Sequence, residues 1–235
     1  MESLTLVTWN ILCASSPEDW ERRRGLVVDA LRWMDPDVAG LQEVLPGPRR
    51  DLERAFPEYR FLGGGRDPDG QGEGVPLMVR LPVLDWGEFW LSETPREKGL
   101  RGWDAFYPRH CTWARLANGL SILNTHLDHL GARARLESVE LLIRALAGPR
   151  VLLGDFNEAE DGPAVQRLEG ALVDAWRRVH PVRPAPPTWH DFGRASMRLD
   201  YVFTTPDLAI LEAEVVSFEP WPSDHHPVQV RLRVP

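Results

Sequence analysis

The chain lacks most of what would support a simple reading of it. Two cysteines, Cys13 and Cys111, are all that 235 residues contain. That is too few for a disulfide framework or a thiolate zinc cluster, so both are expected to act as small core hydrophobes. No run approaches the roughly 20 apolar residues a membrane helix needs, and the opening MESLTLVTWN has no basic, apolar and cleavage segments in succession. The expectation is a cytoplasmic protein without membrane insertion or an obligate protein partner. Basic residues are not in excess either. Lys and Arg total 27 against 35 Asp and Glu, a net charge of -8, which argues against holding nucleic acid by bulk electrostatics. A nuclease that brings its own divalent cation is not excluded, because metal-binding carboxylates add to the negative total. Lys98 is the single lysine, and asparagine occurs only at positions 10, 118, 124 and 157. Each surviving amide is therefore informative.

What is present is an ordinary globular composition, 43% hydrophobic and 26% charged, over a length that suits one large α/β domain or two small ones. LTLVTWN alternates like a half-buried strand and stops at Asn10. A helix is expected from about Glu18 to Met34, with Leu26, Val27, Ala30, Leu31 and Met34 on one face and Asp35-Pro36 ending it. DVAGLQEV reads as a second strand, and the Gly/Asp-rich GGGRDPDGQGEG as a surface loop. Leu136, Val139, Ile143 and Leu146 mark a helix over 132–146 that Gly148-Pro149 closes. VLLGDF, MRLDYVF, LEAEVVSFE and PVQVRLRV complete the strands. No repeat or linker divides the chain, so residues 1–235 read as a single domain. Strands outnumber helices and several are hairpin-spaced. That pattern fits two packed sheets with helices outside them, with a three-layer α/β fold as the alternative.

Polar residues gather where strands run out. Asn10 closes the first strand and Glu43 the second; Asn124, His126 and Asp128 follow LSIL; Asp155 and Asn157 follow VLLG; Asp200 interrupts MRLDYVF; and PSDHHPV precedes the last strand. Strand ends collect at one sheet edge, where sites are built. Glu, Asp, Asn and His without thiolates suit a hard cation such as Mg²⁺ or Mn²⁺, and such a cation commonly acts on phosphate oxygens. Each residue alone has a dull reading: Asn10 as a turn residue, Glu43 as a surface charge, Asp200 as half of a buried ion pair, His126 as a core histidine. Their joint placement is what those readings leave unexplained. A Ser223-Asp224-His225 nucleophilic triad is rejected, since adjacent side chains diverge and no Gly-x-Ser-x-Gly elbow exists.

TWNI, LQEV, LNTHLDH, LLGDFN, RLDYVF and PSDHHPV, in that order, resemble the six signature blocks of the endonuclease/exonuclease/phosphatase superfamily. FWLSETP, GWDAFYPRHCTWARL and NTHLDHLGARAR further resemble stretches of an uncharacterised bacterial group within it. The resemblance implies a four-layer α/β sandwich, two packed mixed sheets flanked by helices, as in pancreatic-type deoxyribonucleases. It also implies Glu43 as principal metal ligand with Asn10 and Asp224, and Asp155 as the group that orients or deprotonates the attacking water. Asn157 would hold a phosphate oxygen, Asp200 and His225 would form a hydrogen-bonded pair, and His126 would donate to the phosphate. One departure is Leu12, which stands where apurinic endonucleases carry an acid; this weakens an abasic-site role. Arg109, Asn124, Trp103 and Tyr107 are candidate substrate contacts, Arg109 for phosphate and Trp103 or Tyr107 for stacking on a base or sugar. The expected activity is a Mg²⁺- or Mn²⁺-dependent phosphodiesterase or nuclease acting on a phosphoester substrate, with nucleic acid or a nucleotide among the candidates. The alternative is an enzyme for a small phosphorylated metabolite or lipid headgroup. A catalytically dead binding module is set aside because the ligand set is complete.

Overall fold

A computed structural model describes residues 3–14, 16–145 and 148–234. In chain order the elements are β1 (Ser3–Asn10), α1 (Pro17–Met34), β2 (Val38–Gln42), α2 (Pro46–Ala55), β3 (Arg60–Leu62), β4 (Leu77–Val79), β5 (Val83–Trp90), β6 (His110–Leu116) and β7 (Ser121–His126). Then come α3 (Ala132–Arg144), β8 (Arg150–Asp155), α4 (Pro163–Glu169), β9 (Val173–Asp174), α5 (Ala175–Val179), β10 (Asp200–Thr204), β11 (Ala209–Val215) and β12 (Val228–Arg233). They form two six-stranded sheets, ordered β11-β12-β1-β2-β4-β3 and β5-β6-β7-β8-β10-β9. Both are mixed. Each has one parallel pair near its middle, β1 with β2 and β7 with β8, among antiparallel neighbours. The four-layer sandwich is the architecture found.

Period-two alternation explains the layering. On β1, Leu4 and Leu6 join the core between the sheets, while Val7 and Trp9 face outward to the helices. On β8, Val151 and Leu153 point inward and Leu152 outward; on β10, Val202 is inward and Tyr201 and Phe203 outward. Truncating an inward Leu such as Leu153 to Ala would cost ~2–5 kcal/mol, because the packed layer cannot collapse around the gap. The first outer layer rests on α1. Ser16 caps that helix by accepting from the Asp19 N–H at 3.2 Å, Pro17 opens it, and Asp35 ends it in a left-handed conformation. Its buried face includes Val27, Ala30, Leu31 and Met34 as the periodicity indicates, with Trp20 and Arg23 added.

The α3 face differs from expectation. Ala134, Ser138, Val139 and Leu142 are its buried residues, and Leu136 is 38% exposed. Leu146 lies outside the described residues. The two-residue β9 and the short α5 had no periodic signal to betray them. No helix among the described residues is long and apolar enough to cross a membrane.

Candidate active site

Inward-facing rows of the sandwich turn polar at one end. Asn10 continues the Leu4-Leu6 row of β1, and Asp155 continues the Val151-Leu153 row of β8. His126 ends β7 and Asp200 starts β10, and the strand register sets His126 beside Asp155 and Asp155 beside Asp200. The carboxyl ends of both parallel pairs and the amino ends of β10 and β12 thus share one edge. Three residues there are left-handed without being glycine: Leu12 (φ 63°), Glu43 (φ 61°) and Asn157 (φ 49°). Backbone strain of this kind costs roughly 1–3 kcal/mol per residue and persists where surrounding contacts enforce it.

The first half of the site comes from the β1–β2 sheet. Glu43 Oε1 accepts from Asn10 Nδ2 at 2.8 Å, and Glu43 Oε2 accepts from the Cys13 N–H at 2.6 Å. Asn10 Oδ1 accepts from the Leu12 N–H at 3.0 Å, which orients the amide. The loop before β12 is fastened to this half: Ser223 donates to the Asn10 carbonyl at 2.7 Å, and the Trp9 indole donates to the His225 carbonyl at 2.9 Å. Behind it the buried Arg23 donates to the carbonyls of Ile11, Leu12 and Pro222. Burial pushes the Asp224 carboxyl up, and the Glu43 charge adds to that against a downward pull from His225. Among the described residues neither Glu43 nor Asp224 forms an ion pair with Arg or Lys.

The second half is built on the other sheet, with His225 reaching it from the loop before β12. His225 Nδ1 lies 2.8 Å from Asp200 Oδ2, and His225 Nε2 lies 3.9 Å from Asp155 Oδ2. Burial drives the Asp155 carboxyl upward and the Asp200 charge adds to it. Burial alone would depress His225; the charge and hydrogen bond of Asp200, with Asp155 and Asp224 nearby, more than offset it and raise the imidazole. His126 is held well below its ordinary value by burial and then by the Arg109 charge, and is therefore neutral. Its Nε2 is 2.8 Å from Asn157 Nδ2 and 3.4 Å from Asp155 Oδ2. The Asn157 N–H donates to Asp155 Oδ1 at 2.8 Å. Asn10 Nδ2 also donates to Asp155 Oδ2 at 3.0 Å, and so joins the two halves.

Asp155, Asp200 and His225 can bring one donor atom each within 4.8 Å of one another. His225 Nδ1 is already engaged by Asp200, so this group reads better as a proton-handling set than as a cation cage. The carboxylates of Glu43 and Asp224, half-buried without an arginine or lysine partner among the described residues, are the donors whose chemistry fits a hard divalent ion, with the Asn10 amide bonded to Glu43 beside them.

These groups line a cleft of about 480 Å³ with Arg109, Tyr107 and His129 on one side and Trp189, Met197 and Leu199 on another. Arg109 is buried, yet its one ion pair among the described residues is a 3.5 Å approach of Nε to Asp128. Its Nη2 lies 3.4 Å from His129 Nδ1, and no carboxylate occupies the guanidinium fork in two-pronged fashion.

Two candidate substrate residues are elsewhere. Asn124 is fully buried between the sheets. Its Nδ2 donates to the carbonyls of Leu41, Val75 and Pro76 at 2.9 to 3.1 Å, and its Oδ1 accepts from Gln42. It stitches β7 to β2 and cannot reach a substrate. The stitch requires Gly40, where an added Cβ would stand 2.7 Å from the Asn124 carboxamide. Trp103 is absent from the cleft lining; its N–H is bonded to Glu93. Conversely, the sequence reading missed Arg66 and Glu73 by treating GGGRDPDGQGEG as a surface loop. Gly74 pairs with Val44, and Glu73 lines the cleft while holding Arg66 through two bonds of 2.9 and 3.0 Å. The available signal was a glutamate between glycines just before an apolar strand.

The sequence matches the Endonuclease/Exonuclease/phosphatase family over residues 7–225, and the chain belongs to that family. Family members are phosphoester hydrolases and generally use divalent metals. A solved endonuclease/exonuclease/phosphatase from Bacteroides vulgatus is 32% identical, with full coverage of both chains and a TM-score of 0.91. A mannosyl-6-phosphatase from Bacteroides thetaiotaomicron is 28% identical over 98% of this chain and 99% of its own, with a TM-score of 0.84. TDP2 of D. rerio, solved with a single-strand DNA product, shares the fold at 16% identity and a TM-score of 0.79, covering 99% and 100% of the two chains. No curated protein matches the chain.

Proposed function

We propose that this chain is one domain carrying one site, a divalent-metal-dependent hydrolase of a compact phosphorylated metabolite. The observation that carries the reading is the Asn10 amide bonded to both Glu43 and Asp155, at 2.8 and 3.0 Å. It ties Glu43, a carboxylate without an arginine or lysine partner among the described residues, to Asp155, a carboxylate poised beside two histidines. Glu43, Asn10 and Asp224 would hold Mg²⁺ or Mn²⁺, which when bound neutralises charge on the phosphoryl oxygens. Asp155 orients the attacking water and takes its proton. Asn157, whose amide hydrogens meet His126 Nε2 and the Leu127 carbonyl, and His126 line the cleft beside Asp155, where an exchange of those bonds for the phosphoryl oxygens would supply donors to the developing charge. Asp200 holds His225 as an imidazolium facing the developing charge. Arg109, whose fork no carboxylate grips in two-pronged fashion, would receive the phosphate.

The sequence put a phosphodiesterase or nuclease first and a small-metabolite enzyme as its alternative. The charge of the cleft favours the alternative. Glu43, Glu73, Asp155 and Asp224 line it, Glu73 held by Arg66, and His225 and Arg109 are the cations among the lining residues, whereas a polymer groove needs basic residues along its length. The mannosyl-6-phosphatase relative supports the same reading. Purified protein with Mn²⁺ is expected to release phosphate from sugar and nucleoside monophosphates, faster than it cuts single- or double-stranded DNA or RNA, and to stop on chelation. Inactivity toward every ester, or a polymer preference, would overturn the reading.

A further inference from the structure

The family and the site leave open what lies beyond the phosphorus atom. We infer that the cleft recognises a leaving group containing a ring with one flat apolar face, held between a Tyr107–His129 wall and a Trp189–Met197 wall. This rests on the reaction proposed above and names its substrate class.

Topology sets the two walls. β6 and β10 both run antiparallel to the central β7–β8 pair and both enter the sheet at the site edge, with β7 and β8 between them. Tyr107 precedes β6 by three residues and Met197 precedes β10 by three. Three strand spacings separate the walls, about 14 Å between backbones, which after side chains leaves room for about one ring. The phosphate groups Asp155, His126 and Asn157 lie on β7 and β8 or just after β8, at the floor between the walls.

Both walls are rigid, although neither is regular structure. Asp128 accepts from the N–H groups of Tyr107, Leu130 and Gly131 at 2.8 to 3.1 Å. Asp104 accepts from those of Arg133 and Ala134 at the start of α3. The Tyr107 ring has the Arg66 guanidinium 4.1 Å from its centroid and runs within 26° of parallel to His129, and Phe106 stands edge-on to both. Across the cleft, Trp189 and Met197 exchange backbone hydrogen bonds of 2.9 and 3.1 Å, and Trp189 bridges to His225. Yet the cleft-lining Met197 is 42% exposed and Tyr107 38%, and Phe106, packed edge-on against Tyr107 outside the lining, is 50% exposed. Pinned, exposed side chains contribute little to the core. They offer a stacking surface whose ordering cost is already met. An acyclic phosphate ester would leave this surface wet.

The test compares kcat/KM in Mn²⁺ for glycerol 3-phosphate, a hexose 6-phosphate and a nucleoside 5′-monophosphate. Ring substrates are expected to exceed the acyclic one by about tenfold or more, from the worth of a single stacked ring. The hexose and nucleoside arms tell a sugar face from a base face, and either preference supports the inference. Tyr107→Ala should bring the ring-to-acyclic ratio down toward one. Met197→Ser, on the opposite wall, should lower the same ratio and guards against a misfolded Tyr107 variant; circular dichroism checks both. A wild-type ratio near one, or a ratio unmoved in Met197→Ser, would overturn the inference and leave the proposed reaction standing. Absence of turnover with all three esters would overturn the reaction itself.

Discussion

The two halves of the site solve different problems with similar materials. On the β1–β2 side, Glu43 and Asp224 have no arginine or lysine partner among the described residues, and Glu43 is hydrogen-bonded to neutral donors. On the β7–β8–β10 side, Asp155 and Asp200 are more deeply buried than the half-buried Glu43 and Asp224, and each faces an imidazole. A carboxylate with only neutral donors keeps a charge that a hard cation can take up. One beside histidine becomes part of a proton-transfer set. The contrast teaches that carboxylate identity says little about role, and that the neighbour across the sandwich decides it.

The most severe way to break that contrast is His225→Gln. It should reduce kcat by about 10³- to 10⁴-fold, while Mn²⁺ affinity by calorimetry stays within about threefold. A parallel loss of metal binding would show that the halves are not separable. Asn157→Ala should cost about 10²- to 10³-fold in kcat with little change in KM, as expected for a donor used mainly in the transition state. An effect confined to KM would reassign it to ground-state binding.

Asn124→Ala sharpens the comparison from outside the site. It removes donors from three carbonyls, so a loss of about 3 kcal/mol in unfolding free energy is expected from denaturant titration. kcat of the folded fraction should stay unchanged. Glu43→Gln should raise the Mn²⁺ concentration for half-maximal activity at least about tenfold, with kcat largely recovered at saturation. Failure to recover would place Glu43 in the proton-handling half.

The smallest effect concerns pH. His110 is buried, and its imidazole is lowered by that burial to about 4 from 6.5. The unfolded chain takes up a proton near pH 6.5 and the native state does not, so stability is full above that pH and declines below it until the native group also titrates. His110 should contribute about 1.3 kcal/mol of loss between pH 7.5 and 5.5. Urea titrations of the wild type and His110→Phe at the two pH values measure it. An equal acid loss in both proteins would remove the assignment.

Much of this was legible before any coordinates. The rows Leu4-Leu6-Asn10 and Val151-Leu153-Asp155 follow from period-two alternation, and the blocks from TWNI to PSDHHPV carried the family. Asn124 was misjudged for a physical reason. It lies two residues before His126 on the same strand face, and alternation says which face a residue takes but not how far along the strand solvent reaches. Arg66 and Glu73 were passed over because glycine and aspartate mark a loop equally well whether it lies in water or folds against a cleft. The α3 face shifted because Ala134 and Ser138, small side chains that a hydrophobic pattern passes over, are buried on it while Leu136 is exposed.

By itself the sequence determined which residues alternate, where strands stop, and which polar groups stand at the stopping points, since those are local consequences of backbone geometry and side-chain chemistry. Only the tertiary structure decided which groups meet. Asn10 and Asp155 are 145 residues apart, and whether one amide reaches both Asp155 and Glu43 depends on how two sheets face each other. Local pattern does not encode that orientation, because it is settled by the packing of the whole inner layer.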